Sequence, residues 1–557
     1  MTKTRNLADL GGGFIQAGTG AVQRTVESKL QDVVSVKDFG AVGDGVADDT
    51  AAFAAAFAAL NTGSGPKGLF IPAGNYLVAP GTCSITTSNR HVYGEGPTSR
   101  IILSSGPVGA TGIVANGTSD TVHLSDVLVS DLSVVASGWT GANGQNGIAF
   151  NRVDRCSVQR CTVLGDSSGQ SWEQGIIFRD TNNCLIANNI VRRIKGNGIS
   201  LDLIIGSETT SGNLVTGNTI SFVGDSGIGF HNNVRYSAAI GNVIDQPGQG
   251  GGTGIDIAGC NCCLFSGNTI SNSAQYGIRL LQNLSYRTVD NVVTNNTVYH
   301  PSTAGAFAAL QIDNTERNTI TGNTLVGNTS SLSDTGIYIS YSSTGSQTHP
   351  VTGETLFKLR GSVIQANTIK RFAKGISLDA AGGITGATLL VDANVIRDCT
   401  TGLSFSTASS EVRFTLSGHN QYFDCSTNVA SLTAGIARND DIIRDTLACI
   451  PVNTSTTQAE TTVTTLLVTR VPSQNTALIA QHRVSETGAY DGRIRYKDSA
   501  GTTLVSDVFG EVTNAIRTTT IPLVSNDLLT VSIEKSGTPA TGTVTCNGLT
   551  FEYRTYY

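Results

Sequence analysis

Between about Gly147 and Phe405 a four-residue phrase, Gly-Ile-x-large apolar, keeps returning, and it constrains this chain more than any other feature. It stands at Gly147-Ile148-Ala149-Phe150, Gly175-Ile176-Ile177-Phe178, Gly198-Ile199-Ser200-Leu201, Gly227-Ile228-Gly229-Phe230, Gly254-Ile255-Asp256-Ile257 and Gly277-Ile278-Arg279-Leu280. It continues at Gly336-Ile337-Tyr338-Ile339, Gly375-Ile376-Ser377-Leu378 and Gly402-Leu403-Ser404-Phe405. The leading glycines are spaced by 28, 23, 29, 27 and 23 residues, and later by 39 and 27. A degenerate copy, Ala309-Leu310-Gln311-Ile312, fills the 59-residue gap between Gly277 and Gly336. A second phrase, small-Asn-x-aliphatic, keeps the same beat at Asn188, Asn218, Asn242, Asn268, Asn296, Asn323, Asn367, Asn394 and Asn420. Two phrases locked in phase over so many periods are the signature of a solenoid.

The strand period says what each copy is. In Gly-Ile-Asp-Ile the two isoleucines share a face and the aspartate points the other way. One copy cannot bury its apolar face alone; stacked copies build a continuous core. An asparagine at a fixed place in every turn suits a bend whose side-chain amide bonds to backbone or to the next coil. The Leu-x-x-Leu-x-Leu frame of leucine-rich repeats is absent. The pattern predicts an all-β chain built on a right-handed parallel β-helix. Only 14% of the 557 residues are charged and 64 are glycine, which fits a β-solenoid.

A net charge of −6 gives no footing for nucleic acid or an anionic membrane surface. The first ten residues hold no apolar signal region, and no 18-residue apolar run occurs, so folding in the cytosol without membrane insertion is expected. Of the eleven cysteines, Cys161 falls on the asparagine-ladder position one period before Asn188, and Cys156 and Cys184 lie in neighbouring strands. They read as small buried hydrophobes with free thiols. Cys260-Asn261-Cys262-Cys263 lacks a second ligand pair at finger spacing, so no metal or other cofactor is expected.

Taken in order, residues 1–33 are polar and Gly-rich and read as an attachment arm. Residues 34–115 open the β-helix. Here Asp48, Asp49 or Thr50 supplies an N-cap for an alanine-rich helix whose Phe53, Phe57 and Leu60 form one apolar stripe, a lid for the first coil. Residues 116–424 are the main β-helix and 425–460 a Thr/Ser/Asn-rich connector. From 461 to 557 alternating strands, among them Ala477–Ala480, Gly492–Tyr496 and Leu529–Ile533, predict a C-terminal antiparallel β-sandwich.

The stretch Lys37-Asp-Phe-Gly-Ala-Val-Gly-Asp-Gly45, followed by Asp48-Asp49-Thr50 and the helix, resembles the opening motif of the pectate-lyase-like β-helix superfamily. Preceded by Ala21-Val-Gln-Arg-Thr-Val-Glu-Ser-Lys-Leu30, it resembles the start of bacteriophage tailspikes, the capsule and O-antigen depolymerases. The close match covers about residues 20 to 60. The resemblance implies a homotrimer that cuts host surface polysaccharide along its β-helix, with the C-terminal sandwich of residues 461–557 serving trimerisation or carbohydrate binding. It also implies attachment to the virion tail through the arm, folding in the host cytoplasm, release by lysis and action at the bacterial surface. An arm this short departs from members with a large head-binding domain and points to a partner spike, or a tail or baseplate adaptor protein.

The repeat also works as a coordinate system. Two places before the leading glycines stand Glu173, Gly196, Asp225, Gly252 and Gln275; two places after, Ser200, Gly229, Asp256 and Arg279; four places after, Arg179, Asp202, His231 and Asp313. Adjacent coils lie ~4.8 Å apart, so Glu173 and Asp225, two coils apart, are expected ~9.6 Å from each other. Inverting glycosidases place their carboxyls ~6.5–9.5 Å apart and retaining ones ~5–5.5 Å. Glu173 is expected as acid, its pKa raised beside Trp172, and Asp225 as base, with Trp172 stacking on a sugar. A competing set is Arg179–Asp202–His231 with Asp256 placed diagonally, which also suits a surface ion-pair ladder. Arg179, His231, Arg279 and Tyr338 keep a polysaccharide lyase open. Asp313 and Asp379 become candidates if the groove lies lower. A site between protomers and a non-catalytic adhesin are further alternatives. Arg193-Ile-Lys195 imitates a polygalacturonase tripeptide, but no Gly-His-Gly precedes it.

Overall fold

The computed structural model describes residues 13–103, 111–137, 145–166, 172–204, 210–248, 252–283, 286–300, 307–328, 334–342, 361–381, 387–407, 412–416 and 420–430, and the backbone of strands between Leu447 and Thr555. Two units can be distinguished, one reaching Thr315 and including Asn323–Ile337, the other including Glu316–Gly322 and the chain described from Tyr338 on. Both are all-β, and the chain is a right-handed parallel β-solenoid.

In the first unit each coil between Gly68 and Asp313 contributes one strand to each of three parallel sheets. Coil after coil, the first sheet takes strands such as Ser157–Gln159, Leu185–Ala187 and Leu214–Thr216. The second takes Thr162–Leu164, Ile190–Arg192 and Thr219–Val223. The third takes Asn146–Asp154, Gln174–Asn182, Asn197–Asp202 and Ile228–His231. The Gly-Ile phrase is the third sheet. Ile148, Ile176, Ile199, Ile228, Ile255, Ile278 and Leu310 stand in one row, so the degenerate copy keeps register. This row faces inward against Val191, Ile220, Ile244 and Ile270 of the second sheet, all fully buried.

The same packing explains the glycine that heads each phrase. A Cβ on Gly147 would sit 2.5 Å from Val163 Cγ1, and on Gly175 the same distance from Val191 Cγ1. Gly198, Gly227, Gly254 and Gly277 meet Ile220, Ile244, Ile270 and Val298 in the same way. The third-sheet strand begins so close to the β-branched residue of the second sheet that no side chain fits.

Between the first and second sheets runs the asparagine ladder. Asn218 Nδ2 donates to Ile186 O at 3.0 Å and to Asn242 Oδ1 at 2.9 Å, while its N–H donates to the same Oδ1 at 3.0 Å. The pattern repeats through Asn242, Asn268, Asn296 and Asn323, and within the second unit through Asn367, Asn394 and Asn420. The ladder residue is Asn189, not Asn188: Asn189 Oδ1 accepts from Cys161 N–H at 2.9 Å, and its amide donates to Val158 O and Asn218 Oδ1. Asn188 is the exposed left-handed turn residue before it, with φ 56°, in line with Asp131, Arg160, Gly217, Gly241 and Gly267. The nine described cysteines are free, and burial pushes the thiols of Cys161 and Cys263 up to about 12.

The helix Thr50–Leu60 buries Ala52, Phe53, Ala56, Phe57 and Leu60, as its stripe predicts. Its aspartates divide the work. Asp48 Oδ1 accepts from Thr50 N–H at 3.0 Å, whereas buried Asp49 turns back to accept from Val42 and Gly43 N–H. At the other end the buried Arg90 guanidinium donates to Leu60 O and Thr62 O, satisfying carbonyls that the helix leaves over. In the second unit, strands Ser362–Gln365, Ala387–Asp392 and Val412–Leu416 pair in parallel, as do Lys374–Ala381, Thr401–Thr407 and Thr427–Ala430. From Leu447 on, pairing is antiparallel. Thr476–Thr487 lies between Ala515–Ile521 and Thr543–Thr555, and Asp491–Lys497 between Thr503–Gly510 and Leu528–Ser536.

The two asparagines of the doublet are separable. Asn189→Ala leaves buried partners unsatisfied and is expected to cost about 3–5 kcal/mol in denaturant unfolding, while Asn188→Gly stays within about 1 kcal/mol. Equal costs would refute this division of roles.

Candidate active site

The third sheet presents its chemistry in rows, because parallel pairing puts equivalent residues of successive coils side by side. Through the third place of the phrase run Ser200, Gly229, Asp256, Arg279 and Gln311. Four places after the glycine, Arg179 pairs with Asp202, and His231, Ala258, Leu281 and Asp313 follow in line.

Where the two rows meet, a buried ion cluster forms. Arg279 Nε donates to Asp256 Oδ1 and a second guanidinium N–H to Oδ2, both at 2.9 Å, and His231 Nε2 lies 3.3 Å from Oδ2. The Asp256 side chain is only 10% exposed. The imidazole reaches it by lying over Gly229, where a Cβ would fall 2.5 Å from His231 Cε1. Burial alone would raise the Asp256 carboxyl, but hydrogen bonds and charge from His231 and Arg279 bring it down to about 2. Burial works against the His231 imidazolium as well. Its bond to Asp256, with the charges of Asp256, Asp202 and Asp225, outweighs that and raises it above the ordinary 6.5. Arg179 is lowered by burial, with Asp202, Glu173 and Asp180 opposing. Asp202 accepts from Leu203 N–H and Asn232 Nδ2, each at 2.7 Å, and Asn232 in turn accepts from Asn283.

Beside this cluster the row two places before the glycines is stacked by backbone bonds. Asn197 N–H donates to Glu173 O at 3.0 Å and Asp225 N–H to Gly196 O at 3.2 Å. Glu173 and Asp225 are therefore two coils apart with glycine between them, and both are exposed. Two coil steps correspond to ~9.6 Å between their backbones.

Trp172 does not have the place expected of it. Its indole is 1% exposed, in the core beside Gly147, because its backbone takes a left-handed turn with φ 55°. No sugar can stack on it. An aromatic surface is instead offered by half-buried Tyr276, whose ring lies 5.7 Å from the Arg279 guanidinium and meets Phe307 edge-on at 5.1 Å. Tyr276 stands one place before Gly277, so the repeat carried the signal for it. Asn232, Asn283 and Gln311 are further polar groups missed by a reading that looked for charge. Tyr338 belongs to the second unit, where its hydroxyl donates to Asp379 Oδ2 at 3.3 Å.

Residues 33–279 match the family model described as rhamnogalacturonase A/epimerase, pectate lyase-like, and residues 239–437 that of the right-handed β-helix region. Over these stretches the chain is similar to pectate-lyase-like and right-handed β-helix domains. Mannuronan C5-epimerase AlgE1 of Azotobacter vinelandii is 26% identical over 272 residues, 44% of this chain and 18% of the epimerase. Among solved structures, the A-module of mannuronan C5-epimerase AlgE6 from the same organism matches with TM-score 0.50 and 19% identity, over 70% of this chain and 99% of the module. A tailspike protein of Escherichia coli bacteriophage HK620, solved in complex with a pentasaccharide, matches with TM-score 0.53 and 13% identity over 98% of each chain. At such identities these two structures speak for the fold.

The His231–Asp256 pair has a signed pH dependence. A raised imidazole pKa stabilises the fold fully below about pH 6.5 and loses that contribution as pH rises through the folded-state value. Asp256 contributes above its unfolded value and loses that only as pH falls towards about 2. His231→Gln should therefore lower the melting temperature more near pH 6 than near pH 9. Gly229→Val, which displaces the ring, should do the same. A gap that does not change with pH would remove the ion pair from this account.

Proposed function

We propose that this protein is a phage tailspike enzyme that binds a bacterial surface polysaccharide, capsule or O-antigen, across the third sheet and hydrolyses it within the chain. The observation that carries the hydrolytic reading is the stacked row Glu173–Gly196–Asp225. It offers two exposed carboxylates on one edge, two coils apart, with a glycine between them that leaves room for a glycosidic bond and a water. The ~9.6 Å between their backbones stands close to the ~6.5–9.5 Å that separates the carboxyls of inverting enzymes and well beyond the ~5–5.5 Å of retaining ones. Glu173 acts as acid, protonating the leaving oxygen, while Asp225 takes a proton from the attacking water. Tyr276 and Phe307 supply the apolar face against which a pyranose ring can lie. Asp202, Asp256, Arg179, His231 and Arg279 hold one another in place behind this edge and offer hydrogen bonds to sugar hydroxyls.

The tailspike setting is supported by the fold likeness to the phage protein along the whole chain and by the motif over residues 20 to 60. It implies a homotrimer attached through residues 1–33 to a tail or baseplate adaptor, acting at the host surface. A second reading is favoured by the epimerase match: abstraction of a proton beside a uronate carboxylate, as in elimination or epimerisation. That chemistry needs cations free to neutralise the carboxylate. Arg279 is instead forked onto Asp256, and Arg179 faces Asp202 and Glu173, so the geometry supports hydrolysis better.

Sizing purified capsule or O-antigen of the host after incubation with the protein tests the proposal, and shortened chains with saturated ends are expected. Glu173→Gln and Asp225→Asn should each slow turnover ~10²-fold or more while glycan binding persists. Full activity in both variants would sink the assignment, and an unsaturated product would replace hydrolysis by elimination.

A further inference from the structure

We infer that the site takes a glycan whose contacting sugars carry no acid group, a neutral polymer rather than a polyuronate. The inference rests on the hydrolytic reading above for the location of the site, and on the charges around it for the rest.

Two exposed residues on this edge, Glu173 and Asp225, are both negative. Behind them Asp202 and Asp313 are half-buried, and Asp256 is buried. The cations on the same strands do not offset these charges towards solvent. Arg279 spends its planar fork on both oxygens of Asp256, at 2.9 Å each. Arg179 is half-buried beside Asp202 and Glu173. His231 is turned onto Asp256, and half-buried Lys195, one place before Gly196, sets one positive charge beside the two negative ones. A sugar carboxylate is recognised best by a guanidinium fork in bidentate geometry. Here a protein carboxylate already fills that place, so Asp256 acts as a stand-in for the acid group of a uronate and excludes it. Elsewhere along the edge, a sugar carboxylate brought to ~5 Å from Asp225 would be weakened on the order of 100-fold at an effective dielectric constant of about 20. Hydroxyls and acetamido groups meet no such barrier. They find acceptors in the carboxylates and a ring surface in Tyr276.

The test is calorimetric titration of the full-length protein with short oligomannuronates and oligogalacturonates at low ionic strength. It is run on the natural chain and on Asp256→Asn, with Asp256→Ser as a second variant should the first fail to fold. The natural chain should bind neither probe and release no product from alginate or polygalacturonate. Freeing the Arg279 fork in the variant should raise affinity for an oligouronate about 10-fold or more. Binding or degradation of a polyuronate by the natural chain overturns the inference, as does a folded variant that gains nothing. Hydrolytic shortening of a polyuronate would overturn the neutral-glycan assignment and leave hydrolysis standing. A neutral capsule that is bound and never shortened would leave the assignment standing and remove hydrolysis.

Discussion

The hydrogen bonding of each coil to the next, at a repeat of ~4.8 Å, is the constraint from which the core, the turns and the candidate site all follow. Parallel strands share no hairpin that could set their register, so something in the sequence must set it for them. The buried asparagines do this. Each amide is satisfied on three sides, by a backbone carbonyl of the preceding coil, by that coil's ladder residue and by the oxygen of the next asparagine. A slip by one residue would leave the amides unpaired in the core and turn every inward isoleucine to the outside. Register is thus enforced twice, by polar satisfaction at the corner and by apolar burial along the sheets.

The glycines follow from the same stacking. They bring the third sheet against the second so closely that Val163, Val191 and Ile220 occupy the space a Cβ would need. Gly229 serves a different end, on the outer side: it clears a bed for the His231 ring and lets it reach Asp256 on the neighbouring coil. In this way a repeat selected for packing becomes a frame for chemistry. The outward rows are free to vary from coil to coil, and that freedom places acid beside base without disturbing the core.

Much of this was legible in the sequence. The register of the Gly-Ile phrase, its degenerate copy at Leu310, the lid helix with its Phe53, Phe57 and Leu60 stripe, and the buried free cysteines are local or periodic features. What stayed hidden is instructive. In Asn188-Asn189 either residue could serve the ladder, because a left-handed turn and a buried amide both favour asparagine. Trp172 looked like a sugar platform on the strength of its neighbour Glu173, yet a left-handed turn at that position carries the indole into the core. Tyr276 kept the beat of the repeat and still escaped notice, because its worth lies in Arg279 and Phe307, one on the strand that follows it and one on the next coil.

The sequence by itself determined the solenoid, the coil boundaries to within a residue or so, and the rows in which outward side chains stand, because these depend on a period that hydrophobicity writes directly into the chain. Only the tertiary structure decided which members of those rows engage one another. Pairing Arg279 with Asp256, turning His231 onto the same carboxylate and leaving Glu173 and Asp225 at the surface depend on side-chain direction, burial and the space left by a missing Cβ. Those quantities arise between coils and have no counterpart along the chain.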